Sequence, residues 1–256
     1  MTKEIVLSVR KLKTKYRVET TENKYSFSEE TIIKYSIFKG KELEKDELAL
    51  IEAEENKNSL MNKAINYLSY QARSVNEVRK YLIDKECSLE LAEVIIENIQ
   101  NLGYLDDEAL VNSLLDYVMR TRKGPRVLEE KLKQKMLDED LISSTVRKYD
   151  YMKEEMVIEE LLDNILPRYR NYPLKKQKLL LYQKLLRDGF STEIITSNIN
   201  SIEYIDESDE ELEKELTKQI NKYEVIDYKI RSQIISKLMN KGYEYSKIIE
   251  LLNNFE

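Results

Sequence analysis

The sequence predicts a mainly α-helical protein: tandem three-helix repeats forming a curved elongated array, with a small N-terminal β-meander plus helix. Three observations support this. Only five Gly and three Pro punctuate 256 residues in which Leu, Ile, Glu and Lys dominate, a composition that favours helices. Four times a leucine is followed by apolar residues 10 and 14 positions later: Leu82 with Ala92 and Ile96, Leu132 with Ile142 and Val146, Leu185 with Ile195 and Ile199, Leu238 with Ile248 and Leu252. These marker leucines lie 50, 53 and 53 residues apart, the signature of a stacked supersecondary unit. The first forty residues, by contrast, hold short alternating β-prone runs.

From the N-terminus, Ile5–Val9, Tyr16–Thr20 and Tyr25–Phe27 read as three short strands separated by polar turns. A helix capped by Ser28 is expected from Glu29 to about Phe38, with Gly40 just beyond its end. This extension, residues 1–57, is net positive up to Gly40. Repeat 1 covers 58–107. Its long helix lies within Asp46–Ala72, either continuous or broken near Asn56–Asn58; Ser74-x-x-Glu77 forms a capping box for the middle helix, and Ser88 caps the closing one. Asp106 or Asp107 caps the first helix of repeat 2, residues 108–152. There Gly124-Pro125 takes the place of Ser74-Val75, with proline at a first helical position. Repeats 3 (153–205) and 4 (206–256) are longer because Pro173 and Asp227 start their middle helices about a turn earlier. The acidic run Glu203–Glu215 reads as a solvated, mobile linker leading into a helix start.

A spacing of four puts the two apolar residues on one face of the closing helix, opposite the marker leucine across a tight turn. They are core positions. Each unit buries few such residues alone, so stability builds through contacts between neighbours.

Composition also excludes chemistry. The chain has no His and one Cys, which removes the commonest general base and makes a zinc site unexpected. Phosphate-binding glycine loops, dinucleotide fingerprints and nucleophile elbows are missing from the sequence. The pair Asp106-Asp107 sits where capping and the helix dipole call for acids. Cys87 reads as a small helix-end residue rather than a reactive thiol. No enzyme, cofactor, metal or small-molecule substrate is expected. No apolar run reaches bilayer length and no signal-peptide pattern opens the chain, so the expectation is a cytoplasmic protein without membrane contact.

The net charge of −6 conceals local basic clusters. Arg168, Arg170, Lys175, Lys176 and Lys178 lie in a stretch, Ile165–Arg187, that has seven basic residues and no acidic one, with Tyr169, Tyr172 and Tyr182 interleaved. Arg120, Arg122, Lys123 and Arg126 surround the corresponding junction of repeat 2, and Arg73, Arg79 and Lys80 that of repeat 1. Repeat 4 offers Lys222, Lys229 and Arg231. Singly these are ordinary solvated residues; recurring at each junction, they make a candidate basic stripe for phosphates or an acidic protein groove. The tyrosines read as packing more than as base-stacking platforms.

Ala64-Ile65-Asn66-Tyr67-Leu68-Ser69, Arg73-Ser74-x-x-Glu77-Val78-Arg79-x-Tyr81-Leu82, Gly103-Tyr104-Leu105-Asp106-Asp107 and Lys123-Gly124-Pro125, in that order and spacing, resemble the RecX family of bacterial RecA regulators. The resemblance covers nearly the whole chain. Where the family often has Lys-Gly after the marker leucine, repeats 1 and 2 have Lys85-Glu86 and Lys135-Met136. It implies a non-enzymatic protein of DNA repair, homologous recombination and the SOS response. Its implied partner is the RecA filament, protein plus single-stranded DNA, whose ATPase, strand-exchange and coprotease activities it would modulate, most often inhibit. The alternative is a helical-repeat protein that binds DNA independently of RecA.

Overall fold

A computed structural model describes residues 3–254. Two compact units divide at residues 110 and 111.

The first unit opens with an antiparallel sheet of β1 (Lys3–Lys11), β2 (Tyr16–Thr20), β3 (Lys24–Phe27) and β4 (Glu42–Glu44), in the order β3-β2-β1-β4. A bulge between Val6 and Ser8 lets both Val6 and Val9 pack with Val18, Phe27 and Leu43. Three strands were expected and four form. The fourth, Glu42-Leu43-Glu44, is too short for its alternation to show in the sequence, yet Leu43 is fully buried.

Helix α1 (Glu29–Lys34) is capped by Ser28, as expected, but it stops a turn early. Ser36 takes a left-handed conformation (φ 47°), and the Ile37 amide donates to the Ile32 carbonyl, so the chain turns and buries Ile37. Gly40 therefore does not end the helix. Its amide donates to the Val6 carbonyl at 2.8 Å and leads the chain into β4.

Helix α2 (Lys45–Tyr70) runs unbroken through the sheet-side core and into repeat 1. Midway along it the buried Glu55 carboxylate accepts from the Ser28 amide (2.9 Å), the Thr31 hydroxyl (2.7 Å) and Lys15 Nζ (2.9 Å). Burial pushes this carboxyl up, but the bonds from Ser28, Lys15 and Thr31 outweigh it and hold the pKa at about 2. Glu55 thus ties the β1–β2 turn and the start of α1 to α2.

Helices α3 (Val75–Ile83) and α4 (Leu89–Asn101) complete repeat 1, and α5 (Asp107–Arg120) follows. Ser74 and Glu77 form the reciprocal capping box. Both carboxylates of the acidic pair act as caps: Asp106 accepts from the Ala109 amide and Asp107 from the Val75 amide, each at 3.0 Å. Cys87 is buried just after α3, and burial pushes its thiol pKa up.

The second unit continues with α6 (Pro125–Gln134), α7 (Glu139–Lys148), α8 (Tyr151–Ile165) and a 3₁₀ turn (Leu166–Tyr169). Then come α9 (Leu174–Arg187), α10 (Thr192–Ser201), α11 (Asp209–Ile220), α12 (Tyr228–Asn240) and α13 (Tyr245–Asn254). All four marker leucines are buried, as are the residues 10 and 14 positions later except half-buried Val146.

The marker leucine has a second role. The residue four positions after it is left-handed in every repeat: Glu86 (φ 63°), Met136 (55°), Gly189 (88°) and Gly242 (102°). In repeats 1, 3 and 4 the next amide, on Cys87, Phe190 or Tyr243, donates back to the marker leucine's carbonyl. Glu86 and Met136 thus adopt a conformation that suits glycine.

The acidic linker is tied down rather than loose. Gln177 Nε2 donates to the Ile205 carbonyl (2.9 Å), the Glu207 amide to the Arg170 carbonyl (2.8 Å) and the Tyr204 hydroxyl to the Ile199 carbonyl (3.0 Å). Burial pushes the Tyr204 hydroxyl up to about 12. From Asp209 on, the acids open α11, where they suit the helix dipole.

Candidate partner-binding surface

The basic junction residues fall into two groups, those engaged within the molecule and those directed outward. At the α2–α3 junction, the Arg73 guanidinium lies 4.5 Å from the Tyr67 ring centroid and bonds Glu77 at 2.9 Å. Its Nε is buried with no hydrogen-bond partner among the described residues. Tyr67 stacks on Tyr81 (4.3 Å, 3°), and Lys85 Nζ lies over the Tyr81 ring, 5.5 Å from its centroid. These tyrosines and Arg73 pack as one column. Arg79 pairs with Glu93 across to α4 and bonds Asn76. Lys80 is exposed and forms no ion pair among the described residues.

At the α5–α6 junction, Lys123 and Arg126 converge on the end of α9. Lys123 Nζ and Lys184 Nζ each lie 2.7 Å from the buried carboxylate of Asp188. The Gly124 amide donates to the Asp188 carbonyl (2.7 Å) and the Arg126 amide to that of Gly189 (3.1 Å). Arg126 Nη2 donates to the Leu186 carbonyl at 2.9 Å. A Cβ on Gly124 would lie 2.3 Å from the Gly189 carbonyl, so two glycine backbones touch here. The Tyr149 hydroxyl donates to the Lys123 carbonyl (2.8 Å), and burial pushes its pKa well above the usual tyrosine range. Arg122 is itself left-handed (φ 51°), with Nε 3.4 Å from Glu160 in a solvated pair. Arg120 is exposed and unpaired among the described residues.

The α8–α9 junction is held by buried Gln177, whose Nε2 donates to the Tyr172 (2.7 Å) and Ile205 (2.9 Å) carbonyls. Arg170 approaches Glu207 only to 4.0 Å. Lys175 and Lys176 occupy the first turn of α9, which has no acidic residue. Cations at that end oppose the helix dipole, at a cost of about 0.3–1 kcal/mol each. Lys176 covers the Tyr172 ring at 4.4 Å and Lys178 the Tyr204 ring at 5.2 Å. Arg168 and Lys176 share a cleft of about 430 Å³ with Tyr172, Glu211, Glu215 and Lys241. Among the described residues Arg168, Lys175, Lys176 and Lys178 form no ion pair.

Of the twelve candidates, then, Arg73, Arg79, Lys123 and Arg126 hold the fold together, and Arg122 and Arg170 form solvated pairs. Lys80, Arg120, Arg168, Lys175, Lys176 and Lys178 present their charge outward. Asp188 and Gln177 organise two of the junctions, and spacing alone does not single them out. No group of three or more His, Cys, Asp or Glu side chains among the described residues could hold a metal ion. No described helix is long and apolar enough to cross a membrane.

Residues 61–97, from the second half of α2 through most of α4, match the family described as RecX, first three-helix domain. A regulatory protein RecX of Streptococcus agalactiae is 30% identical over 261 residues, covering 98% of this chain and 99% of that one. The chain belongs to the RecX family. RecX proteins are regulators, and another, from Staphylococcus aureus, is 30% identical over 225 residues, 86% of this chain and 82% of its own. A crystal structure of a regulatory protein RecX aligns with TM-score 0.57 at 23% identity, covering 78% of this chain and all of that one. RecX from Lactobacillus salivarius aligns with TM-score 0.51 at 27% identity, covering 56% and 94%. Both share the helical-repeat fold.

Proposed function

We propose that this RecX-family chain binds the RecA nucleoprotein filament and restrains its ATPase, strand-exchange and coprotease activities, without catalysing a reaction itself. The observation that carries this reading is the unspent charge at the repeat junctions, above all the first turn of α9. There Lys175 and Lys176 stand at the unfavourable end of a helix with Arg168 beside them and no acid paired to any of the three among the described residues. An external anion stabilises that arrangement, whether a phosphate or a carboxylate of the filament. Lys80 and Arg120 extend the same character to two earlier junctions. Several weak contacts on neighbouring protomers would add through effective concentration, which suits a repeat protein on a repeating partner.

The test is a gel shift with single-stranded DNA, double-stranded DNA and RecA filament assembled with a non-hydrolysable ATP analogue. Binding that requires the filament, and that weakens in Arg120→Glu/Arg168→Glu/Lys175→Glu/Lys176→Glu, is the expected result. Equal affinity for bare DNA and filament would replace this reading with that of a DNA-binding protein acting independently of RecA.

A further inference from the structure

Helix α2 carries three asparagines at a spacing of four, Asn58, Asn62 and Asn66, which places them on one face of the helix. Asparagine is a weak helix former, because its side chain competes for backbone partners. In other helices of this chain that side chain bonds the preceding turn: Asn164 donates to the Glu160 carbonyl (2.6 Å) and Asn198 to that of Ile194 (3.0 Å). The side-chain amides of Asn58, Asn62 and Asn66 form no hydrogen bond among the described residues. Asn62 and Asn66 are exposed and Asn58 is half-buried.

The three asparagines line a cleft of about 670 Å³, together with the β1–β2 turn at Lys15 and the start of α1 at Glu29 and Glu30. The bonds from Lys15 and the Ser28 amide to Glu55 fasten that turn and that helix start to α2, so the cleft is preformed. Its charges balance. Glu29, Glu30 and Glu55 stand against Lys15 and Lys63; Glu55 holds Lys15 at 2.9 Å, and Glu29 pairs with Lys11 at 3.4 Å. A phosphate chain therefore meets no surplus of positive charge. Ile65 is the one apolar residue in the lining, so an amphipathic helix finds no groove for its apolar face.

What the cleft offers is a row of neutral amides, each both donor and acceptor. The backbone of an extended polypeptide has the complementary groups and no charge. The spacing also agrees: four residues of α-helix advance about 6 Å, and two residues of an extended strand about 6.6 Å. Successive asparagines thus meet alternate residues of such a chain, whose N–H and C=O groups point to the same side. We infer that the α2 cleft binds an extended segment of a protein partner, with Asn58, Asn62 and Asn66 hydrogen-bonded to the backbone of alternate residues. This site shares no residue with the basic junctions and does not depend on the function proposed for them.

A phage-displayed library of random 12-residue peptides tests this. The library is first depleted on full-length Asn62→Ala/Asn66→Ala and then enriched on the wild-type chain. Enriched peptides should bind the variant about tenfold or more weakly than wild type. Synthetic versions N-methylated at alternate residues should lose binding in one register and keep it in the other. Alanine is the better helix former at both exposed positions, so the thermal midpoint of the variant should rise by about 2–4 °C. A fall in that midpoint assigns the asparagines to the fold and overturns the inference. So does a library that yields no peptide preferring wild type, or binding that N-methylation in either register leaves intact.

Discussion

Replacing Gly124 with alanine isolates the contact that joins repeats 2 and 3. At φ −81° and ψ 174° the Gly124 backbone lies where alanine is comfortable. In the absence of a neighbour, the substitution would therefore stabilise the fold by about 0.4–1 kcal/mol through the unfolded state. The neighbour reverses the sign. The new Cβ would fall 2.3 Å from the Gly189 carbonyl carbon and oxygen and 2.4 Å from the Phe190 amide, all backbone atoms that no side-chain rotation can clear. Moving the two helices apart costs about 1–3 kcal/mol as overpacking. It also weakens the hydrogen bonds from the Gly124 and Arg126 amides, worth about 0.5–1.5 kcal/mol each. The expected net loss is about 2–4 kcal/mol, read as a lower urea midpoint and as lost hydrogen-exchange protection at Gly124 and Arg126. An alanine variant as stable as wild type, or more stable, would refute the backbone-to-backbone contact.

Other substitutions follow from the same geometry. Glu86→Gly relieves a left-handed residue at a cost of about 1–2 kcal/mol, partly offset by glycine's greater unfolded-state entropy of about 0.5–1 kcal/mol, so thermal denaturation should show a gain of about 0.5–1 kcal/mol. Asp188→Asn leaves Lys123 and Lys184 without their anion; since both lysines reach solvent, urea unfolding should show a loss of about 1–2 kcal/mol, well below that of a fully buried pair. The pKa of Glu55 is lowered to about 2 in the fold, so its stabilisation is present above the ordinary carboxylate pKa and is lost as pH falls through about 2. Acid unfolding of the first unit should show this loss, about 2–3 kcal/mol, and Glu55→Gln should abolish that part of the pH dependence.

The repeated core was readable from the sequence because burial repeats with the helix period: Leu82, Leu132, Leu185 and Leu238 are all inside. Caps were readable for the same local reason, as Ser74, Ser88, Asp106 and Asp227 show. What stayed hidden depends on distant contacts. Leu43 forms a strand only because Lys3–Ile5 pairs with its segment. Ser36 ends α1 because Ile37 is drawn into the core, and Glu86 and Met136 accept a glycine conformation because packing on both sides of the turn demands it. In the candidate surface, basic residues that look alike in the sequence differ by whether an acid folds back onto them. Asp188, 65 residues from Lys123, is the clearest such partner.

The most direct test of the proposed regulation is the single-stranded-DNA-dependent ATPase of RecA titrated with this protein at several salt concentrations. The account predicts a saturable fall in ATPase that weakens as salt rises. Arg120→Glu/Arg168→Glu/Lys175→Glu/Lys176→Glu should require about tenfold more protein for the same effect, whereas Arg79→Gln, which removes an internally paired charge, should behave nearly as wild type. Unchanged RecA ATPase at saturating wild-type protein would contradict the account.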